Sequence, residues 1–463
     1  MDAKNPLKKN ASLILLALLM ISFNAHGEVL NLARALELAR DNNPQYLGAR
    51  AGIAAAHARH RQAIAQSLPQ LSASATRNWN HRNYETLQPL IPGPPDVSNY
   101  NADNDQVSLT QPLYRRATLA ALAQTKAEVR QNEYQLVATE QDMLLKLVQT
   151  WLDLIVARDS EVYTAAQTDT TRRQLEQFEK ASQIQLAAGP DLEDARAKYA
   201  QADADHAAAG VDLQEKLAQL EELIGPLGAF PVPTFSADTT APTPPDIARL
   251  EDLLDAAEDG NPAVLAAEEA LVAANKEVSK QRAGYEPTVD IVGNYSRNKQ
   301  ESGNFPGQSG YDIHQRYIGL QVSVPLYTSG LQQAKVSEAI AMRTKATQEL
   351  EAAVRTARTN ARLAWFRYRA NQVRVTATRQ MSRSTQLALR AAESGKENGL
   401  NYDVDVLRAR QDYLQAQRDL HKAQAEMMLD SLRLKAAVGA LEDEDIVSLD
   451  DRMHARSVAE ESP

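Results

Sequence analysis

Hydrophobic positions along the chain change their period in a fixed order, and the order occurs twice. A short helical stretch, Leu32-Ala-Arg-Ala-Leu36-Glu-Leu-Ala39, ends at Asn43-Pro44, and a second helix runs from there to about Pro69. Beyond Pro69 the period becomes two. Leu71, Ala73, Ala75 and Trp79 alternate with Ser72, Ser74, Thr76 and Asn78, and Val107 and Leu109 alternate with Ser108 and Thr110. Later, Val289, Ile291, Gly293 and Tyr295 alternate with Thr288, Asp290, Asn294 and Ser296, interrupted by Val292. Ile318, Leu320, Val322 and Val324 alternate with Gly319, Gln321 and Ser323. These patterns predict four strands, each with one apolar and one polar face. The connectors Asn80 to Asp103 and Arg297 to His314, rich in Asn, Gly, Pro and Ser, read as hairpin loops too long for tight turns. After each strand pair comes a stretch free of proline and glycine, Arg116 to about Ala181 and 331 to 394. At 1.5 Å per residue each predicts a helix of about 100 Å, which requires coiled-coil-like packing against neighbours. Each rod ends at a break, Gln185 to Pro190 and Gly395 to Asn401, and a shorter helix returns from it.

The duplication is visible residue by residue. Asn43-Pro44 recurs as Asn261-Pro262 with the same helical pattern before it, and Pro69 recurs as Pro287. Gln111-Pro112-Leu113-Tyr114 matches Val324-Pro325-Leu326-Tyr327, and Trp151 matches Trp365. Asp191, Ala195, Arg196 and Tyr199 match Asp405, Ala409, Arg410 and Tyr413. The repeats cover about 28–225 and 246–441, with β-hairpins at about 70–113 and 288–326. A Pro-rich linker, 226–245, separates them, and a charged C-terminal tail occupies 442–463.

Composition narrows the classes. Of the 463 residues none is cysteine, which excludes disulfides, cysteine metal sites, thiol nucleophiles and an acylated N-terminal cysteine. A net charge of −10 argues against nucleic acid as a partner. No stretch after residue 27 supplies the roughly 20 apolar residues of a membrane-spanning helix, yet membrane β-strands are short, alternating and nearly invisible to averaged hydropathy. The N-terminus is expected to be a signal peptide, residues 1–27. Lys4, Lys8 and Lys9 precede an apolar run from Ala11 to Phe23, and Ala25-His26-Gly27 supplies the small residues of a cleavage site.

Four strands cannot close a barrel. An open edge leaves backbone groups unpaired in lipid, and closure takes at least eight strands, so at least two chains must contribute. At this point the chain resembles the TolC-like outer-membrane efflux and secretion channels. The residues that carry the resemblance are the duplicated Leu-xxx-Leu-xx-Ala…Asn-Pro, Leu68-Pro69-Gln70-Leu71 opening a strand, and the two Pro-Leu-Tyr segments. To these are added Asp191-xxx-Ala195-Arg196-Ala197-xx-Tyr199 and Leu434-Lys-Ala-Ala-Val-Gly439-Ala-Leu441. The resemblance implies a mixed α/β membrane protein. Three chains would build a homotrimeric 12-stranded outer-membrane β-barrel, four strands per chain, continuous with a long α-helical barrel in the periplasm. It implies an exit duct for efflux or type I secretion, working with a periplasmic adaptor and an inner-membrane transporter of the ABC or RND type, in contact with outer-membrane lipid. It implies no enzyme activity, cofactor or metal. Lack of a cysteine after the signal segment places the chain with the non-lipidated members.

The resemblance also nominates sites. The helix turns would form the closed tip, with Asp191, Asp405 and the nearby Asp403 as an acidic pore ring favouring cations. The bland alternative is ordinary helix N-terminal charge. Departures from the family pattern are Lys396 and Asn401 at positions where relatives carry locking residues, Arg408 at the place of a second acid, and Gln185 in place of a glycine. Lys396 or Arg408 is therefore expected to pair with an aspartate of a neighbouring turn. Gln185-Leu186 and Gly399-Leu400 are the expected adaptor contacts, and Pro69, Pro112, Pro287 and Pro325 the strand–helix transitions. His57 and His60 read as a solvated pair, Trp151 and Trp365 as packing residues, and Glu442 to Asp445 as a solvated acidic turn. Tyr84, Tyr100, Tyr311 and Tyr317 are candidates for an interfacial aromatic girdle. The alternative function is a periplasmic adaptor, which would surround one hairpin with small β-domains rather than repeat strands beside two rods.

Overall fold

The structure is a computed structural model that describes residues 30–85, 87, 96–184, 189–226, 230, 249–302, 309–398 and 402–454. The expected signal peptide and most of the expected linker lie outside these residues. The first half runs α1 (Leu32–Asn42), α2 (Pro44–Ala65), β1 (Gln70–Tyr84), β2 (Asp96–Tyr114), α3 (Arg116–Gln183) and α4 (Gly189–Ile224). The second repeats the order as α5 (Leu250–Gly260), α6 (Pro262–Arg282), β3 (Thr288–Ser302), β4 (Ser309–Ser323), α7 (Leu331–Glu397) and α8 (Asp403–Ala437). A last helix, α9 (Asp443–His454), follows.

The duplicated Asn-Pro has a physical cause. Asn43 accepts hydrogen bonds from the backbone N–H of Gln45 (3.0 Å) and Tyr46 (3.1 Å), and Asn261 from that of Ala263 (3.0 Å). Each asparagine caps a helix whose first residue is proline, the one position where a missing N–H costs nothing. The returning helices end against these kinks. Gly225 (φ +89°) packs on Asn42, and Gly439 (φ +73°) lies against the Gly260 carbonyl, where an added Cβ would come within 2.2 Å of the oxygen. The closing glycine of each repeat is thus fixed by positive φ and, in the second repeat, by close approach as well.

α3 packs on α4 and α8, and α7 packs on α8, so the helical hairpins form a layer in the order α4-α3-α8-α7. Nearer the sheet, α2 and α6 flank α3, and α6 also meets α7. The main core is gathered around Trp151 of α3, fully buried among Leu32, Leu36, Leu147, Leu220, Met428 and Ile446, and stacked on Phe230 at 6.4 Å. Trp365 packs partly buried against the second-repeat core of Leu253, Leu254 and Ala361.

Two expectations need correction. The strands extend through much of what reads as loop, β1 to Tyr84, β2 from Asp96, β3 to Ser302 and β4 from Ser309. Alternation stops near the middle of each strand, but backbone pairing continues through polar rungs such as Arg77 opposite Asp103 and His81 opposite Asn99. The segment after Leu441 is more than a solvated turn and charged tail. α9 buries Ile446 and Leu449, three residues apart on one helix face, in the main core. Its Asp450 carboxylate accepts hydrogen bonds from the backbone N–H of Leu32 (3.2 Å) and Ala33 (3.5 Å), satisfying the start of α1 from the far end of the chain.

Candidate functional site

The four strands form one antiparallel sheet in the order β1-β2-β3-β4, leaving β1 and β4 as edges. Register sorts the side chains into two faces. Leu71 lies opposite Leu109, Leu109 opposite Gly293, and Gly293 opposite Ile318, so these and their alternate neighbours Val107, Ile291, Leu320 and Val322 share an apolar face. That face is uncovered in the single chain, with Ile318 76% exposed and Leu71 72%. The opposite face is polar and almost uncharged. It carries Ser72, Ser74, Thr76 and Asn78 of β1, Asn104, Gln106 and Ser108 of β2, Asn294, Ser296 and Asn298 of β3, and Gln315 and Gln321 of β4. A sheet with one greasy and one amide- and hydroxyl-lined face separates lipid from water. The tyrosine expectation fails on register. Tyr84, Tyr100, Tyr311 and Tyr317 pair with Asp96, Asn80, Gln300 and Asn294, which places all four on the polar face. The exposed aromatics of the apolar face are Trp79 and Tyr295, with Tyr114 at its base.

At the junction of sheet and helices, Pro69 precedes β1, Pro287 precedes β3 and Pro325 follows β4. Pro112 instead lies inside β2, where the register against β3 shifts between Pro112 and Tyr114. Just beyond this bulge Arg115 makes a two-pronged pair with the mostly buried Asp290, Nε to Oδ1 at 2.8 Å and a terminal nitrogen to Oδ2 at 2.7 Å. The carboxylate raises the Arg115 pKa further above its ordinary value. Its neighbour Arg116 holds Glu286 at 3.0 Å, so two ion pairs tie the first repeat's strand end to the start of the second repeat's hairpin. Neither pair was legible in the sequence, because the partners lie more than 150 residues apart.

At the opposite end, Asp191 stands exposed in the first turn of α4, and Asp405 stands exposed in the first turn of α8. Asp405 Oδ2 accepts the Tyr402 backbone N–H at 3.0 Å, so its carboxylate has a capping role. Lys396 lies in the last turn of α7, and Arg408 is exposed on α8, held by no ion pair among the described residues. Asp403 begins α8. Gln185, Leu186, Gly399 and Leu400 lie outside the described residues, as does Asn401.

Between the two ends the helical layer carries ionic groups that periodicity did not single out. Arg40 bridges Glu140 and Asp443, each at 2.6 Å, joining α1, α3 and α9. Arg130 of α3 holds Glu269 of α6 through two 2.7 Å bonds, and Arg358 of α7 holds Glu258 of α5 at 2.7 Å. On the seam between the hairpins, His421 of α8 meets Asp159 of α3 at 2.7 Å. Burial pushes the carboxyls of Asp142 and Asp153 above the usual range. For Asp153 the charge of Lys216 opposes the rise, and that of Asp212 adds to it. His60 bonds through Nδ1 to Thr125 Oγ1 at 3.0 Å, and no group of three metal-ligating side chains occurs among the described residues.

Two segments, residues 35–226 and 253–440, match the model of the family described as Outer membrane efflux protein, one in each half of the chain. Outer membrane protein TolC of Vibrio cholerae serotype O1 is 27% identical over 423 residues, covering 90% of this chain and 93% of that protein. Proteases secretion protein PrtF of Dickeya chrysanthemi is 24% identical over 449 residues, covering 94% of each. Among solved structures, the Campylobacter jejuni CmeC outer membrane channel superposes with a TM-score of 0.70 at 17% identity, covering 92% of this chain and 90% of that one. The adaptor alternative falls here, since these relatives are channels and secretion proteins and the strands sit beside rods in both repeats. The chain belongs to the outer membrane efflux protein family, a family of channels rather than of adaptors or enzymes, and resides in the outer membrane with its helical part in the periplasm.

Proposed function

We propose that three copies of this chain assemble into the outer-membrane exit duct of a tripartite efflux or type I secretion system. The observation that carries this reading is the open four-stranded sheet, with two unpaired edges and an uncovered apolar face, attached to helices of about 100 Å. An even number of antiparallel strands makes β1 and β4 run in opposite directions. The β4 edge of one copy can therefore pair antiparallel with β1 of the next, and such a head-to-tail contact closes into a ring. Two copies would give eight strands, whose interior is filled by side chains, whereas three give twelve and a continuous lumen. The helical layer supports the same arrangement. Its edge helix α7 exposes Phe366, Val373, Met381 and Leu387 at intervals of six to eight residues, an apolar stripe that a neighbouring copy would cover.

In this assembly the polar sheet face lines the barrel and the apolar face meets lipid. The turns beyond α3 and α7 form the periplasmic tip, where Asp191, Asp403 and Asp405 would each occur three times and favour cations, and where Lys396 or Arg408 would pair with an aspartate of an adjacent turn. Gln185, Leu186, Gly399 and Leu400 would contact the periplasmic adaptor, which connects the duct to an inner-membrane transporter of the ABC or RND type. Membrane fractionation with unheated gel electrophoresis tests the reading. The expected result is a heat-sensitive trimer in outer membranes that conducts ions in planar bilayers, and a soluble monomer would overturn it.

A further inference from the structure

Two of the four long helices keep a bare side. In the order α4-α3-α8-α7 the inner helices have a long neighbour on each side, whereas α4 and α7 have one. On α4, Ala195, Ala202, Ala209 and Leu213 are buried, and the opposite face exposes Ala197, Ala200, Ala204, Ala207, Val211 and Ala218. On α7, Ala361, Ala364, Tyr368 and Val375 are buried, and the opposite face exposes Leu363, Phe366, Ala370, Val373, Ala377 and Leu387. Both bare faces keep the three- and four-residue steps of a heptad, the spacing of a helix that packs on another helix. α4 presents almost only alanine there, and α7 mixes bulky side chains with alanine.

Charge separates the two helices. Residues 352–392 of α7 hold nine arginines and no acid, and residues 199–224 of α4 hold six acids and one lysine. Part of this is matched inside the chain, Arg355 by Glu351, Arg358 by Asp255 and Glu258, and Arg374 by Glu426 at 3.1 Å. Arg367 and Arg383 beside the bare seam of α7, and Asp203, Glu215 and Glu222 beside that of α4, are exposed and enter no ion pair among the described residues. The bonds across the layer fix relative heights. Arg374 meets Glu426, which stands five residues along α8 from His421; His421 meets Asp159 of α3, and Thr168 of α3 meets Ala202 of α4. Carried across, Arg374 comes level with about residue 216 of α4, and in a closed ring it is level with the same residue of the next copy. Glu215 then lies beside Arg374, Glu222 beside Arg367 and Asp203 beside Arg383.

Resting on the trimeric-duct reading, we propose that the bare seam of α7 docks antiparallel on the bare seam of α4 in a second copy of this chain, flanked by Arg367–Glu222, Arg374–Glu215 and Arg383–Asp203 pairs. The bulky side chains of α7 enter the alanine-lined face, and the flanking charges set the register. Like charges oppose α4 on α4 and α7 on α7, so the contact is head-to-tail and runs in the same sense as β4 beside β1.

The full-length chain has no cysteine, so introduced pairs report the contact cleanly. Val211→Cys combined with Ala377→Cys or Gln380→Cys, the α7 seam positions within a turn of its height, should give covalent dimers and trimers on denaturing gels after oxidation. Such a bond must join two copies, because α4 and α7 are opposite edges of one layer. Val211→Cys with Leu363→Cys, displaced by about 20 Å along α7, should stay monomeric on the same gels. Arg367→Glu/Arg383→Glu and Asp203→Arg/Glu222→Arg should each lower the trimer yield on unheated gels roughly tenfold, and the chain carrying all four changes should recover it. Absence of the bond, equal bonding by the displaced pair, indifference to either reversal, or no recovery in the fourfold variant overturns the proposal. Unheated gels of the wild-type chain separate the two readings: a trimer that fails these tests sinks the α7–α4 contact alone, and a monomer sinks the duct reading.

Discussion

Single residues carry two kinds of information, local and distant. Asn43 and Asn261 were legible as helix breaks because a cap and the proline after it act within a few residues of themselves. Asp290, Asp450 and Asp153 were not, because the groups that act on them come from distant parts of the chain. Asp153 yields a pH prediction. Burial raises its carboxyl pKa in the folded chain, so the folded state holds the proton more tightly than the unfolded state, and its stabilising contribution is lost as pH rises through the folded value. Asp153→Asn should therefore raise the melting temperature by about 1–2 °C at neutral pH and lose that advantage in the acid range below the ordinary aspartate value. An unchanged difference across pH would contradict this account. Arg115→Ala leaves the largely buried Asp290 carboxylate without its two-pronged partner, and a loss of about 3 kcal/mol is expected in denaturant unfolding. Asp290→Asn should cost less, because the amide keeps an acceptor for Arg115.

Elements differ in how much of their definition is local. The rods were predictable to within a few residues, since a long stretch without proline or glycine has few alternatives to helix. The outer halves of the strands were not, because their rungs pair polar with polar, and only the partner strand reveals the extension. α9 was hidden by its acidic start, although Ile446 and Leu449 lie on its buried face. Removing its cap on α1 by Asp450→Ala should cost about 1 kcal/mol in thermal or denaturant unfolding. Truncation after Glu442 should cost far more, by uncovering Leu32, Leu36 and the Trp151 core. At the start of α8 charge and capping can be separated. Asp405→Asn keeps an acceptor for the Tyr402 N–H and removes the charge, so single-channel recordings should show reduced cation preference with unchanged helix content. Asp405→Ala should lose both. If neither variant alters selectivity, Asp405 is a cap and nothing more.

For the whole molecule, the lone chain is incomplete in a directional way, with sheet edges at β1 and β4 and helical edges at α4 and α7. Val373 is 71% exposed in the chain, so Val373→Glu should leave the fold of a single chain intact. Placed in the apolar stripe of α7, the charge should weaken the trimer and convert the heat-sensitive band on unheated gels to monomer. A fully retained trimer would remove α7 from the proposed subunit contact.

The sequence by itself determined the duplication, the helix breaks, the period-two segments and the insufficiency of four strands, because each follows from local sterics or from a count. Only the tertiary structure decided which side chains share a sheet face, how far the polar strands run, which buried acids find partners and what the last helix covers. Those outcomes depend on register and on contacts between residues hundreds of positions apart, and a one-dimensional pattern holds no measure of either.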